Sequence, residues 1–587
     1  MKGGLPLAVV AAGGLAFANS FKGALVFDDL TRIVDNPHVR TLWPLWPLLT
    51  ESLRPLVDLS LVVNYALGGL NVVGYHGVNI VAHLLAAVTL YGLVRRTLAT
   101  SAGGAFSDSQ AALLAAASAM LWVVHPLHTQ GVTYVIQRAE LFMGACALMT
   151  LYSVARSARA ARSIRWQLAG VLACAAGMMS KAVMGIVPIL ALLYDRTFFA
   201  GAWRTALRQR RLFYLGLAAT WVLLGAILAM TPHIEQSAGF GFQVLSPLAY
   251  AKTQPGVILH YLRLAVWPDP LVFDYSWPVA RGALAMVPGM LVLLGLMGLM
   301  IRIWTRARGV SFLILWVLLT LAPTSSVIPL ADLAVEYRMY LPLAGLSVLA
   351  VLGGGWLLRR APGITLRRAL GFGLVVISIV SLALVTHRRN RDYASLLALW
   401  TDTVEKRPLN PKARNNLGLA LTAAGRLEEA ISRYEEALRL QPDFPEAHTN
   451  LGIALAQQGA SREAKRHYVN ALRLDPTFVK AHINFGNLLI REGNTTEALA
   501  HYRMAVALDP RSAEGRNDLG VALLQAGQVD AALAQFAQAI RLKPELIEAQ
   551  RNLETVRAQR TVGEAVTWRA ELLSPAGGTG QPATREH

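Results

Sequence analysis

Residues 416–442 read NLGLALTAAGRLEEAISRYEEALRLQP, and residues 450–476 read NLGIALAQQGASREAKRHYVNALRLDP. The two stretches lie 34 residues apart, and the spacing continues along the chain. Leu417-Gly418, Leu451-Gly452, Phe485-Gly486 and Leu519-Gly520 recur at this spacing. So do Gly425, Gly459, Gly493 and Gly527; Ala437, Ala471, Ala505 and Ala539; and Pro442, Pro476, Pro510 and Pro544. A fixed period of this length marks a repeat array, whose units bury their apolar faces only by stacking on neighbours.

The unit resembles the tetratricopeptide repeat. That resemblance implies two antiparallel helices per unit, small residues where they cross, proline at the exit, and a superhelix with a concave groove. Trp400 and Pro408 fit the second helix of a preceding partial repeat, so the array is expected over 391–560. The segment 561–587, rich in Gly, Pro, Thr and Ala, is read as a disordered tail. Asn416, Asn450, Asn484 and then Asp518 precede the Leu/Phe-Gly pairs. A carboxamide both donates and accepts, so such a ladder can hold an extended peptide backbone. Asparagine at this position resembles the peptide-holding type of array; Asp518 departs from it and, ionised, can only accept. The alternative is a polar position on an exposed helix face.

Upstream of the repeats the composition changes. The 587-residue chain is 54% hydrophobic and only 16% charged, which argues against one large water-soluble domain. Its net charge of +19 is not spread evenly. Residues 1–386 hold 29 Lys/Arg against 13 Asp/Glu, whereas 387–587 hold 26 against 23. The basic excess therefore sits among apolar segments, so no nucleic-acid partner is expected. Cys146 and Cys174 both lie in apolar runs and offer neither a disulfide framework nor a cysteine-based zinc site.

Apolar runs long enough to cross or nearly cross a bilayer predict about eleven helices: 4–21, 76–94, 110–124, 132–155, 165–179, 182–198, 212–231, 282–301, 310–329, 340–358 and 369–386. The first run, ending at Ala16-Phe17-Ala18, also fits a cleaved signal peptide, but is read as an anchor. With the N-terminus cytoplasmic, the inner loops collect 19 positive charges against only Asp108 and Asp195. This positive-inside asymmetry puts everything after Thr386 outside the cytoplasm, the periplasm of a bacterial inner membrane. Lys181 interrupts the stretch 166–195, which is read as a hairpin with Lys181 at a recessed outer tip. Each arm is roughly 22 Å, shorter than the hydrocarbon layer. Lys252, Gln254, His260 and Arg263 mark 248–266 as an amphipathic helix at the outer interface.

Polar motifs gather on the outer side of this map. Asp28-Asp29 follow the first span directly. Adjacent carboxylates raise at least one pKa, and a carboxylate poised near neutrality is a competent general base; a capping acid or solvated turn is the alternative. Arg54-Pro55-Leu56 comes next, then His76, Asn79 and His83 on one helix face, read as cavity lining rather than metal ligands. His125 and His128, Arg138 and Glu140, Lys181, and Glu336 with Tyr337 and Arg338 complete the set. Ionisable groups close to a membrane interior default to functional roles.

In collinear order these pieces resemble the membrane glycosyltransferases that use polyprenyl-phosphate sugars, most nearly the transmembrane-and-tetratricopeptide-repeat O-mannosyltransferase family. The matching residues are Asp28-Asp29 with Asn36-Pro37, Arg54-Pro55-Leu56, Gly74-Tyr75-His76 with Asn79 and His83, and His125-Pro126 with His128. Arg138-Ala139-Glu140, Ser180-Lys181, Trp267-Pro268 to Asp274-Tyr275-Ser276, and Tyr337-Arg338 to Leu341-Pro342 continue the series. The family commonly carries a glutamate where this chain has Ala182.

The resemblance implies an all-α fold: a GT-C-type transmembrane domain over 1–386 followed by the extracytoplasmic repeat superhelix. It implies transfer of a monosaccharide, mannose, from a polyprenyl or dolichyl monophosphate to Ser or Thr of a protein held by the repeats. Asp28 would take the hydroxyl proton with Asp29 in support, and Arg138, Lys181 and Arg338 would meet the phosphate. Arg54, His76, Asn79, His83, His125, His128, Glu140, Glu336 and Tyr337 would line the cavity. The lipid-linked sugar is a substrate, so no cofactor is called for, and no metal site is argued. Competing readings are a non-catalytic membrane-anchored scaffold for an envelope complex and a transporter.

Overall fold

The computed structural model describes residues 4–43, 50, 52–100, 106–158, 163–231 and 245–562. The expected disordered tail lies outside them from residue 563 on. Among the described residues the fold is all-α, and the chain falls into two compact units, Met1–Asp402 and Thr403–His587.

Each of the eleven expected segments contains a helix in the first unit, but the one expected over 310–329 ends at Leu321. Seven are long and apolar enough to cross a membrane: Gly4–Lys22, Val72–Thr100, Ala182–Ala200, Arg211–Met230, Leu284–Ile303, Glu336–Leu358 and Ile364–Tyr393. The pair Asp108–Val123 and Pro126–Val132, bent by 51° at the break between them, makes an eighth when counted as one broken span. The protein is thus a multi-pass membrane protein. The remaining three do not meet that criterion by themselves. Ser163–Met178 and Arg308–Leu321 are short, and Arg138–Ser157 opens with Arg138 and Glu140. Arg138–Ser157 is nonetheless central, packed against Val72–Thr100 and Ser163–Met178. Its polar start is tolerated because protein, not lipid, surrounds it. By contrast, Leu284, Leu291, Leu294 and Ile301 of the Ala283–Ile303 helix stand exposed, as lipid-facing residues do.

Two helices refine the sequence map. Pro55–Gly68, a helix outside the eleven expected segments, starts with proline at its first turn and Asp58 beside it. Proline there loses no hydrogen bond and an early acid favours the helix dipole, so the start was legible. Pro247–Val266 is amphipathic as expected, burying Tyr250, Gln254, Val257, Tyr261 and Leu264 while Lys252 and Arg263 stay exposed.

The second unit contains the helical hairpins of the repeat. Pro411–Ala423 pairs with Leu427–Leu440, Pro445–Gln457 with Ser461–Leu474, Val479–Arg491 with Thr495–Leu508, and Ala513–Gln525 with Val529–Leu542. Gly425, Gly459, Gly493 and Gly527 turn each hairpin at φ of 74°, 88°, 78° and 73°, a region other residues enter at a cost. At Gly418, Gly452, Gly486 and Gly520 the helices cross so closely that a Cβ would lie 2.5–2.8 Å from Tyr434, Tyr468, Tyr502 and Phe536. A further periodic device appears only in the structure. Arg414, His448, His482, Arg516 and Gln550 each donate to the carbonyl of the proline six residues earlier, tying every first helix to the exit of the preceding unit. The Leu396–Lys406 helix straddles the boundary between the compact units, and Trp400 is buried in the first, edge-on to Phe27 at 5.7 Å and Phe273 at 5.4 Å. Trp400 also stands 34 residues before Tyr434, in register with Tyr468, Tyr502 and Phe536.

Candidate functional site

Between Asp108–Val123 and Arg138–Ser157 the chain runs through short turns over 124–137, all of it buried. Backbone groups at this depth must find protein partners, because lipid offers none. Several residues expected to line a cavity supply them. Asn79 Nδ2 donates to the Val132 and Val135 carbonyls at 3.0 and 3.3 Å. His83 donates from Nε2 to the Val123 carbonyl and accepts the Tyr340 hydroxyl at Nδ1, both at 3.0 Å. His125 accepts the Leu127 N–H at 3.3 Å and donates to the Ala265 carbonyl at 3.2 Å. His76 donates to the Gly23 carbonyl at 3.0 Å. His128 is buried among the rings of His83, Trp122, His125 and Tyr340. Asn79, His83 and His125 therefore hold the turn rather than line an open cavity, while His76 anchors the Gly23 backbone and His128 packs through its ring alone.

Arg138 departs from its expected role in the same way. Fully buried, its guanidinium donates to Asn79 Oδ1 (2.8 Å), Ser60 Oγ (3.0 Å) and the Tyr75 carbonyl (2.9 Å). It is a packed cation at the heart of the bundle, not one open to a phosphate.

The adjacent carboxylates part company. Asp29 is fully buried: Oδ2 accepts the Val26 N–H at 3.0 Å and Oδ1 the Ile136 N–H at 2.8 Å. Burial pushes its carboxyl up to about 7, against the lowering effect of those hydrogen bonds. Asp28 is exposed, and its backbone N–H donates to the Tyr134 hydroxyl at 3.1 Å. The preceding Phe27 has φ 52°, a strained conformation for a non-glycine residue. Its ring is wedged edge-on between Phe273 (5.9 Å) and Trp400 (5.7 Å), which holds the strained turn. The turn buries one carboxylate and presents the other.

A cationic cluster lies beside this turn. Lys181 occupies the break between Ser163–Met178 and the Ala182–Ile186 turn. Its ammonium pairs with Glu140 and sits 4.7 Å from the centre of the Tyr337 ring. Burial pulls Lys181 below the usual ammonium range; Glu140 acts in the opposite sense, and nearby Arg54 and Arg338 add to the lowering. Glu140 thus supplies a carboxylate beside Lys181. The Leu56 N–H donates to the Met179 carbonyl at 3.2 Å, anchoring the Arg54 turn there. Arg338 donates to the Leu333 and Asp332 carbonyls (3.0 and 2.5 Å) and to the Tyr250 hydroxyl (3.3 Å). Glu336 accepts from the Val272 N–H (2.6 Å) and the Tyr275 hydroxyl (2.9 Å), so it positions this turn from within.

One short segment joins the two groups. Ile136 holds Asp29 and Glu140 holds Lys181, four residues on, about 6 Å of helical rise. Sequence reasoning missed Tyr134, Gln130 and Gln254. Gln130 bridges the Phe273 carbonyl and the Glu336 and Tyr337 N–H groups. Gln254 is buried with neither amide atom hydrogen-bonded, on the same helix face as Tyr250 and Tyr261. Its signal was a carboxamide in a mostly apolar run. Among the described residues, no group of three or more His, Cys, Asp or Glu is arranged to hold a metal ion.

In the repeats the polar ladder is uneven. Asn450 is buried, donating to Asn415 Oδ1 at 2.9 Å and accepting from Lys480 at 3.0 Å. Asp518 is also buried and accepts from Asn517 at 3.3 Å. Asn416 and Asn484 are half-buried, and Asn484 donates to the Lys480 carbonyl at 2.8 Å.

Comparisons with known proteins agree with this architecture. The TPR repeat family matches residues 418–459, and the Tetratricopeptide repeat family matches 449–513 and 483–547. The chain is 27% identical to Protein O-mannosyl-transferase Tmtc3 of Drosophila melanogaster over 73% of this chain and 54% of that protein. It is 25% identical to Protein O-mannosyl-transferase F38B6.6 of Caenorhabditis elegans over 73% of this chain and 61% of the relative. Identity to Protein O-mannosyl-transferase TMTC4 of Homo sapiens is 27%, over 72% and 64%. The chain spans about half the length of the first of these relatives and under two thirds of the others. Among solved structures, YrrB, a TPR protein with an unusual peptide-binding site, is 25% identical, with a TM-score of 0.25 over 28% of this chain and 85% of that one. The family resemblance read from the sequence is borne out: the chain is a relative of the transmembrane-and-repeat protein O-mannosyl-transferases.

Proposed function

We propose that this relative of the protein O-mannosyl-transferases is a membrane glycosyltransferase that moves a mannosyl group from a polyprenyl monophosphate to Ser or Thr of a protein, on the extracytoplasmic side. The observation that carries the reading is an exposed Asp28 on a strained turn, joined through Ile136–Glu140 to the Lys181 cluster. Asp28 takes the proton of the acceptor hydroxyl as its oxygen attacks the anomeric carbon. The bond from that carbon to the phosphate oxygen breaks with inversion, and the lipid phosphate leaves carrying its electron pair. Negative charge grows on the phosphate, so Lys181, Arg54 and Arg338 lower the barrier there. Arg138 is assigned to the scaffold instead. The repeat unit holds the acceptor protein, with Asn416 and Asn484 the ladder positions left half-exposed. The positive-inside distribution of arginines supports this face, and the repeats, lying outside the cytoplasm.

The test is transfer by the purified full chain from polyprenyl-phosphate-[³H]mannose to a Ser/Thr-rich protein, with Asp28→Asn as control. Incorporation that depends on Asp28 supports the reading. Intact-mass analysis of co-expressed envelope proteins showing no chain-dependent hexose increments, together with no transfer in vitro, would leave the scaffold reading.

A further inference from the structure

At the end of the bundle away from Asp28 and Lys181, the helices surround a half-open cavity of about 550 Å³. The Val72–Thr100 helix fixes this placement: His76 packs on Gly23 near one end, and Thr97 lines the cavity 21 residues later, about 31 Å along the axis. The inner walls are apolar, including Leu93, Val94, Phe312, Trp316, Val348 and Leu352. The mouth differs: Arg306 and Arg308 line it, both exposed and neither in an ion pair among the described residues. The acids of this end are already engaged, Asp108 with Arg95 and Asp195 with Arg210 and Tyr214. Trp166, Trp203, Trp304 and Trp356 stack with Arg156, Arg196 and Arg360 at the same end, an arginine–tryptophan belt of the kind found at headgroup depth.

We infer that this cavity binds an anionic glycerophospholipid, one acyl chain filling the apolar interior and its phosphate meeting Arg306 and Arg308. Charge complementarity selects the occupant. A neutral lipid would fill the interior equally well but leave two arginines facing a phosphate already neutralised by choline. Basic pockets between membrane helices bind anionic headgroups for this reason. The leaflet is the cytoplasmic one by the positive-inside arrangement, and the site is separate from the proposed transfer site, so neither stands on the other.

The experiment uses the delipidated full chain in detergent and reads bound lipid by native mass spectrometry and thermal unfolding. The probes are dioleoylphosphatidylglycerol, dioleoylphosphatidylcholine and undecaprenyl phosphate. The glycerol lipid should be retained as a one-to-one adduct and raise Tm more than its choline counterpart. Arg306→Gln with Arg308→Gln, both on exposed side chains, should weaken that retention about 10- to 30-fold. Val348→Trp, which fills the interior, should remove the adduct for every lipid; if that variant does not fold, the arginine pair decides alone. Equal retention of the choline lipid, or an unchanged arginine variant, overturns the inference. So does retention of undecaprenyl phosphate in preference to the glycerol lipid, which would make the cavity a carrier site.

Discussion

The Asp29 carboxylate accepts the Ile136 backbone N–H at 2.8 Å across 107 residues of sequence. This bond fixes the first polar loop to the turn that leads into Arg138–Ser157, and so sets where the neighbouring Asp28 emerges. Two adjacent acids thereby acquire different work, one inside and structural, the other outside and available.

Asp28→Asn should unfold at the parent temperature yet transfer sugar about 10²–10⁴-fold more slowly, the usual contribution of a positioned base. Asp29→Asn should instead lower Tm, because one amide cannot accept both the Val26 and Ile136 N–H groups; an unmet buried donor costs about 1–3 kcal/mol. A large turnover loss confined to Asp29→Asn, at unchanged Tm, would exchange the roles.

The raised Asp29 carboxyl also predicts a pH dependence. The folded chain prefers the protonated acid, so its contribution to stability is fully present below about 4 and is lost as pH rises towards about 7. Asp29→Asn should flatten the change of Tm with pH in that window. An identical slope in both proteins would place the titration elsewhere.

Lys181→Met should lower kcat/KM by about 10²–10³-fold, the scale for losing one charge-stabilising group. Glu140→Gln should be milder, because it frees the ammonium while leaving it in place. Steady-state rates at varied donor concentration separate the two.

Arg138→Met should chiefly harm folding, because Asn79 Oδ1, Ser60 Oγ and the Tyr75 carbonyl lose their shared donor in the core; a drop of several degrees in Tm or loss of folded yield is expected. A well-folded variant with weakened donor binding would return Arg138 to the phosphate site.

Within the repeats, Gly452→Ala should lower Tm by forcing a Cβ to within 2.7 Å of Tyr468, an overpacking cost of about 1–3 kcal/mol. Asn416→Ala with Asn484→Ala should spare Tm but weaken modification of a protein acceptor relative to a short peptide. Asn450→Ala should destabilise the array, since its carboxamide bridges Asn415 and Lys480. Equal effects of all three asparagine changes on both acceptors would remove the ladder from substrate binding.

Local physics alone determined the elements. The 34-residue period, the glycines that turn at positive φ and the apolar runs each act over a few residues, so their helices could be read directly. So could the arginine excess that divides the two faces of the bundle. Which polar residues remain available was decided only by the tertiary structure. His76, Asn79, His83, His125 and Arg138 look like a site in sequence because buried polar groups are rare near a membrane interior, yet here Asn79, His83 and His125 satisfy a turn's backbone, His76 bonds the Gly23 carbonyl, and Arg138 ties Asn79, Ser60 and the Tyr75 carbonyl together. Asp28 and Asp29 are indistinguishable by spacing, and only the distant Ile136 N–H separates them. The buried Gln254, the pairing of Glu140 with Lys181 and the arginine-rimmed cavity arise from helices far apart in the chain. A hydrogen bond or cavity wall between such partners leaves no periodic trace, since its geometry exists only once the helices have packed.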